Sequence, residues 1–440
     1  MFLLIALAGL TLILFFAYFL KSKCTREAYI LFCVYFFPLI DLGVTSEAYG
    51  GLKIFDALAY FSFIFFIKDF ILLSRKNRIY FYLFALLIVI LFAGSLHSKF
   101  IKHSMLSILS VFPLFIYSKL LLKEMNVNKD LMQKMVRGFQ FSFFLSAAFL
   151  ILQLIVGLKI TFYPDLNPNV NTSDGIRYPG FFGDAQVNAL FLGMTSFMFL
   201  INFKNIKKPT LLNFCLFTVV LVALFISGGK SAFLGLCIGL VFLWLFFSWR
   251  VKNFIGIAAL IGLAMIPFLK NSFVLFQRLG SLDESYEFRS YIWKEAYDIY
   301  DQHQLLGIGL GNYKDYVERY SADQYYVLED GSILILDQPE NGYLKVLTEA
   351  GIIGSVIALL FLIMPIGRAL YSHLVVRKNY IALLFIAPVV CWLVSFYSLY
   401  TLSDRRIELL LASLICFLIA SIYERSESIK ANPETTLKLA

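Results

Sequence analysis

The sequence predicts an all-α fold: a polytopic transmembrane helical bundle of about 12–13 spans with one large periplasmic loop. Three observations carry that prediction. Of the 440 residues, 60% are hydrophobic and 15% charged, where soluble globular chains run to roughly half and a quarter. The mean hydropathy is +0.78. The apolar residues fall in blocks long enough to cross a hydrocarbon core as helix, which takes roughly 20 residues, and the blocks are apolar all round rather than alternating, so helices and not barrel strands follow.

The first block, Phe2 to Leu20, reads as a span rather than a cleaved signal, because no positive region precedes it and Lys21, Lys23 and Arg26 follow it. Those cations place the next loop in the cytoplasm and the N-terminus outside. Further blocks lie at about 28–44, 54–73, 79–96, 104–122, 136–158, 185–203, 210–227, 231–249, 253–269, 351–367, 380–400 and 407–423. Alternate loops then hold Lys21/Lys23/Arg26, Arg75/Lys76/Arg78, Lys123/Lys129/Lys134, Lys204/Lys207/Lys208, Arg250/Lys252 and Arg368/Arg377/Lys378, as the positive-inside bias requires. Arg405 and Arg406 run against this frame, in a short outer loop where they could add to a phosphate-binding surface. Asp56, Lys68 and Asp69, in or near the third span, read as an internal pair or as residues at its ends, without chemistry.

Four regions follow: N-terminal transmembrane helices (1–158), central helices with a periplasmic loop at 159–184 (159–269), a large periplasmic loop and its return into the membrane (270–350), and C-terminal helices with a short cytoplasmic tail (351–440). Long loops concentrate function, and the stretch from about Lys270 to Asn341 is the largest polar segment, rich in Tyr, Asp and Glu, with a helix expected at Ser285 to Tyr300. The net charge of +9 resides in short loops, which excludes a nucleic-acid reading. Cys33, Cys215, Cys237, Cys391 and Cys416 lie inside apolar blocks and Cys24 in a basic loop, with no pairing or metal spacing. The four histidines show no ligand spacing either, so no metal site and no cofactor are expected.

Polar residues stand out at four places. They are Arg177 in RYPGFFGDAQVNA, Lys230 in SGGKSAF, Arg289 in FRSYIWKEAYDIY with HQLLGIGLGNY after it, and QPENGYLKVLTEAGIIG from Gln338 to Gly354. Three cations on one membrane face beside a carboxylate suit transfer from a phosphate leaving group. Arg meets the departing charge with a planar fork of donors and Lys with a point charge. An acceptor hydroxyl must lose its proton as it attacks, and Glu340 is placed to take it, with Asn341 able to orient a sugar or phosphate oxygen. Glu349 lies further along the returning helix, where an unpaired charge is expensive, so it should pair with a cation or reach polar surroundings, with a secondary part in binding. The Gly228-Gly229-Lys230-Ser231 run lacks the first glycine of a phosphate loop, and Gly307, Gly309 and Gly311 lack the strand–helix setting of a dinucleotide site; turn chemistry accounts for the latter.

At these residues the sequence resembles the O-antigen polymerase and O-antigen ligase superfamily of bacterial envelope proteins. The shared elements are a polytopic chain with one late periplasmic loop, Arg289-x-x-x-Trp293, a Gly-rich turn from Gly307 to Asn312, and Glu340-Asn341 ahead of Leu347, Glu349, Gly351 and Gly354. RYPGFF and SGGKSAF also resemble family elements, and the resemblance covers roughly Arg177 to Pro365. It implies a metal-independent inverting glycosyltransferase of the bacterial inner (cytoplasmic) membrane, acting on its periplasmic face. Such a protein moves a glycan from an undecaprenyl-diphosphate carrier to an acceptor sugar. Arg289 and Lys230 would hold the diphosphate, and a chain-length regulator could be a partner. Two departures matter: ligases carry Arg where Lys230 stands and His where Glu340 stands. The second favours a polymerase of lipid-linked repeat units, with a ligase joining finished glycan to another acceptor as the nearest alternative. A transporter or flippase of lipid-linked sugar, or an envelope scaffold, would show repeats and midplane sites or tolerance of charge loss instead.

Overall fold

The computed structural model describes residues 2–44, 51–71, 78–161, 176–203, 210–247, 252–253, 255–256, 275, 282–321, 325–327, 333–336, 338–376 and 378–431. The expected span at 253–269 and the stretch 162–175 of the first outer loop lie largely outside them.

The chain is helical almost throughout, as its blocks require. Helix α1 (Phe2–Lys21) turns into α2 (Arg26–Tyr35), whose first turn is capped where Thr25 accepts the Ala28 amide. A 3₁₀ turn, a loop, α3 (Ile54–Phe65) and the short α4 (Lys68–Ile71) follow. Then come α5 (Arg78–His97), α6 (Ile101–Leu109), α7 (Phe112–Met125) and α8 (Leu131–Val156). The block expected at 104–122 is thus two helices. Pro113 sits in the first turn of α7, where its missing N–H costs nothing but where it cannot continue α6. Next are α9 (Ala185–Ser196), α10 (Leu211–Ser227) and α11 (Lys230–Phe246). The large loop holds α12 (Leu282–Gln302), α13 (Tyr313–Tyr320) and an antiparallel ribbon of β1 (Tyr325–Val327) and β2 (Ile333–Ile335), with Tyr326 opposite Leu334. The chain ends in α14 (Gly342–Tyr371), α15 (Tyr380–Phe396) and α16 (Arg405–Ala431).

Among the described residues, four helical stretches are long and apolar enough to cross a membrane: Arg78–His97, Ile101–Met125, Leu131–Val156 and Gly342–Val376. Six shorter apolar helices, among them Ala185–Leu200, Lys230–Phe246 and Tyr380–Phe396, pack around them. This is a polytopic helical membrane protein.

Loops sort to two ends of the bundle. At one end Arg26 pairs with Asp69 and Glu124, both at 2.8 Å, Lys123 with Asp69 at 2.5 Å and Lys134 with Glu27 at 2.6 Å. The cation-rich loops after α1 and α7 therefore share a face, as the charge bias expected, with Asp69 of α4 bridging Arg26 and Lys123. At the other end Lys53 donates to Ser403 O at 2.7 Å, the Arg405 amide to Asp41 at 2.8 Å, and Arg406 to Phe181 O at 2.9 Å. Asp56 and Asp69, grouped in the sequence, serve opposite ends: Asp56 pairs with Arg405, Asp69 with Arg26 and Lys123.

The main core lies where α2, α8, α9, α15 and α16 meet, around Tyr29, Phe139, Phe191, Phe385 and Leu410. Close approach of α11 to α15 depends on the Gly235-x-x-x-Gly239 face. A Cβ on Gly235 would stand 2.5 Å from Cys391 O, and one on Gly239 2.6 Å from the Phe197 ring. That packing, with Ser395 donating to Ser231 O at 3.2 Å, sets Lys230 beside the C-terminal end of α15.

Candidate active site

The large loop is built on α12, which is amphipathic. Ile292, Ala296 and Ile299 enter a small separate core with Ile308, Tyr313, Val317 and Leu336. Arg289, Trp293 and Tyr297, spaced one turn apart, run along the flank of that buried side. The expected helix at Ser285–Tyr300 is therefore present and slightly longer.

The Gly-rich turn is not a nucleotide loop. It plugs a break in α14 at Gly351, whose φ of 64° and ψ of −176° no helix allows. The break frees the Thr348 and Glu349 carbonyls, which accept the amides of Ile308 and Gly309, each at 3.0 Å. On the far side, the Ile352 and Ile353 amides donate to Gln304 O and Leu305 O at 2.8 and 3.4 Å. Four backbone groups around the kink thus find partners in one segment. A Cβ at Gly351 would collide with Leu305 O, so the position has two independent reasons to be glycine. Asn312 ties the same turn to the loop after α5, donating to Ser98 Oγ at 2.5 Å.

Where α14 begins, Asn341 caps the helix by accepting the Leu344 amide at 3.1 Å. Its side-chain oxygen is therefore committed, and its amide nitrogen is what remains for a ligand. Just before it, Glu340 has φ = 45°, in the left-handed region where a residue with a Cβ costs about 1 kcal/mol or more. That backbone brings its carboxylate to Arg289 Nε at 3.2 Å, with the Arg 25% and the Glu 41% exposed. Residues 51 positions apart in sequence are thus paired at a strained point facing solvent, the two that the sequence assigned as catalytic.

Glu349 sits differently from its expected place. It is 2% exposed, and its carboxylate accepts the Tyr313 amide at 3.3 Å. No cation pairs with it among the described residues; it anchors the start of α13 and borders the cavity described below. Arg177 is 4% exposed and stands close enough to Asp184 to stabilise its charge. Asp184 caps α9 by accepting the Gln186 amide at 2.6 Å. Burial pushes its carboxyl above the usual range; the Gln186 amide and Arg177 oppose that, while Glu340 and Asp404 add repulsion. Arg177, Asp184, Glu340 and Asp404 therefore share one electrostatic neighbourhood. Lys230 occupies the first position of α11 at this same end, where Gly229 packs directly on Ala189.

The sequence missed the cluster beneath these residues. Arg406, 1% exposed, holds Asp404 with its guanidinium fork at 2.9 and 2.5 Å, donates to Phe181 O and lies 4.1 Å over the Phe182 ring. Arg405 pairs with Asp56 at 2.9 Å and with Glu408 at 2.5 Å. These arginines are therefore not a free phosphate surface. Burial pushes the Asp404 carboxyl up, but Arg406 and Lys53 outweigh it and hold it below the usual carboxylate range. Burial and the nearby Asp404 charge raise Asp41 despite its 2.6 Å bond to Lys53. The signal was available: two arginines against the charge bias call for buried acids, and Asp41, Asp56, Asp404 and Glu408 are those acids.

A cavity of about 1310 Å³ runs along α14 from Asn341 to Leu362, between α5, α7 and α16. Its depth is walled by Leu87, Leu91, Leu359, Leu362, Leu411 and Ile415. At the site end it meets Ser290, Trp293, Lys294, Asn341 and Lys345. Arg289 and Glu340 adjoin this mouth through Ser290 and Asn341. None of Arg177, Lys230, Arg289 and Glu340 is among its described walls, so the four expected residues share one end of the bundle without lining one cavity. Among the described residues no group of three or more His, Cys, Asp or Glu could hold a metal ion.

Residues 214–359 match the protein family described as O-antigen ligase. That match covers a third of the chain and supports its resemblance to the O-antigen polymerase and ligase superfamily. The matched segment includes Lys230, Arg289, Glu340, Asn341, Glu349 and the α14 break; it leaves out Arg177, Asp184 and the Arg405–Arg406 cluster. No curated protein matches the chain. The match agrees with the multi-pass helical membrane architecture described above.

Proposed function

We propose that this protein polymerises undecaprenyl-diphosphate-linked oligosaccharide repeat units at the periplasmic face. The observation that carries the reading is the Arg289–Glu340 ion pair, whose chain neighbours Ser290 and Asn341 line one end of a long, largely apolar cavity. A carrier lipid has the same division: an apolar chain that fits aliphatic walls, and an anionic head that needs cations where the walls end. The site end of the bundle is then periplasmic, and the cation-rich end cytoplasmic.

The chemistry follows from the pair. A bound diphosphate competes with Glu340 for the Arg289 guanidinium, and in taking it releases the carboxylate. The acceptor hydroxyl oxygen attacks the anomeric carbon from the face opposite the phosphate, and its proton passes to Glu340. The bond from the anomeric carbon to the phosphate oxygen breaks, the diphosphate keeps the electron pair, and configuration inverts. Arg289, with Lys230 and Arg177 at the same end, supplies the positive charge that develops against the leaving group, and no metal is required. Asn341 offers its amide nitrogen to a sugar or phosphate oxygen, and Glu349 holds the loop that carries Arg289 in place. A ligase would use the same steps with another acceptor. Glu340 in the place of the ligase histidine favours polymerisation.

The test is complementation of a deletion strain. Arg289→Ala and Glu340→Gln should each leave only single-unit glycan on the cell surface, with membrane levels of the protein unchanged. Full-length polymer from either variant would refute the catalytic pair and favour a scaffold.

A further inference from the structure

Along the wall of the cavity the chemistry changes. Most of its length is apolar, with Leu359, Leu362 and Leu411 beside the Phe84, Phe115 and Phe361 rings. At the site end the rings stand among polar groups: Trp293 and Tyr297 from α12 and Tyr397 after α15, with Ser290, Lys294 and Asn341. Trp293 and Tyr397 meet edge to face, 5.3 Å between ring centroids. Tyr297 and Tyr397 are more than half exposed, at 57% and 53%.

Tyr and Trp also gather at membrane interfaces, facing lipid headgroups. The rings on α12 do not fit that account. Their helix carries nine charged or amide side chains over its 21 residues, LDESYEFRSYIWKEAYDIYDQ, and buries its apolar side in the loop's own core. Ser290, Trp293, Lys294 and Tyr297 of this helix border the cavity. Lipid chains gain nothing from the hydroxyl, ammonium and amide groups set among these rings. A sugar uses both kinds of surface: the face of a pyranose that carries its C–H bonds lies on an aromatic ring, and its hydroxyls need fixed donors and acceptors.

We propose that Trp293, Tyr297 and Tyr397 form a saccharide subsite that holds the glycan of the lipid-linked substrate beside the Arg289–Glu340 pair. The proposal rests on the function proposed above and names the part of the substrate this surface takes. Spacing along α12 orders it. Trp293 lies one turn from Arg289, about 6 Å along the axis, and Tyr297 about 12 Å, so the first ring takes the sugar next to the diphosphate and the second the sugar beyond it. Ser290, Lys294 and the Asn341 amide nitrogen meet the hydroxyls.

The test uses the full chain purified in detergent and, as probe, the oligosaccharide released by mild acid from the lipid-linked repeat units of the host strain. The expected result is a saturable change in tryptophan fluorescence, lost in Trp293→Ala and weakened at least tenfold in Tyr297→Ala, with Tyr297→Phe close to wild type. With intact lipid-linked substrate, Tyr297→Ala should raise KM by a similar factor and leave kcat within twofold. Size-exclusion elution matching wild type checks that the variants fold. Wild-type affinity and KM in Tyr297→Ala and Tyr397→Ala would overturn the subsite while leaving the polymerase reading intact. Loss of transfer in the wild type with oligosaccharide binding retained would do the reverse.

Discussion

At Glu340 a backbone conformation that disfavours side chains is occupied by a glutamate, and the strain is matched by a direct bond to Arg289. Nothing in the sequence marks that geometry. The sequence could single out Glu340 as a carboxylate beside Asn341, but not that Asn341 would be spent on capping α14 or Glu349 on the Tyr313 amide. Short-range roles of this kind win over ligand binding because an uncapped helix end or an orphaned amide costs stability at every moment, with or without substrate. Arg406 is the residue with most to lose. It is fully desolvated and joins Asp404, Phe181 and Phe182, so Arg406→Ala strands a buried carboxylate and releases the loop bearing Arg177. We expect that variant to lose about 3 to 5 kcal/mol of stability, as removal of one partner from a buried ion pair does. Thermal unfolding in detergent reads it, and an unchanged midpoint would show that the cluster is not structural.

Among the elements, α14 shows most clearly what could be read and what could not. The apolar block at 351–367 predicted its membrane part, and the Leu-x-Glu-x-Gly pattern located its return. The pattern does not reveal that Gly351 breaks the helix and that residues 304–309 fill the break, because the partners are more than 40 positions apart and meet only through tertiary packing. The same limit hid the division of 104–122 into α6 and α7, although Pro113 gave a local sign of it. Gly351→Ala should cost at least about 1 to 3 kcal/mol from backbone strain, with the clash against Leu305 O added to that. Because the Gly-rich turn docks there, the variant should also loosen the large loop. Hydrogen exchange at Ile308 and Gly309 should rise, and protection equal to wild type would show that the turn is held by something else.

Across the whole molecule, hydropathy and loop charge were enough for the fold class and for the sorting of loops to two ends, since both follow from the bilayer as solvent. Their resolution is coarse. Arg405 and Arg406 violate the charge bias because they neutralise buried acids instead of facing water or phosphate. The cavity could not be foreseen at all, since its walls come from α5, α6, α7, α12, α14, α15 and α16 and only their assembly encloses it. In the function proposed above, its apolar walls take the lipid chain and the end at Ser290 and Asn341 lies next to the Arg289–Glu340 pair that meets the sugar phosphate.

The most direct test of that link is transfer by the purified protein, in detergent or vesicles, given only undecaprenyl-diphosphate-linked repeat units. Wild type should build a ladder of longer lipid-linked glycans with release of undecaprenyl diphosphate, and Arg289→Ala and Glu340→Gln should build none. Movement of lipid-linked substrate across the vesicle membrane without any ladder would contradict the account and make the protein a transporter.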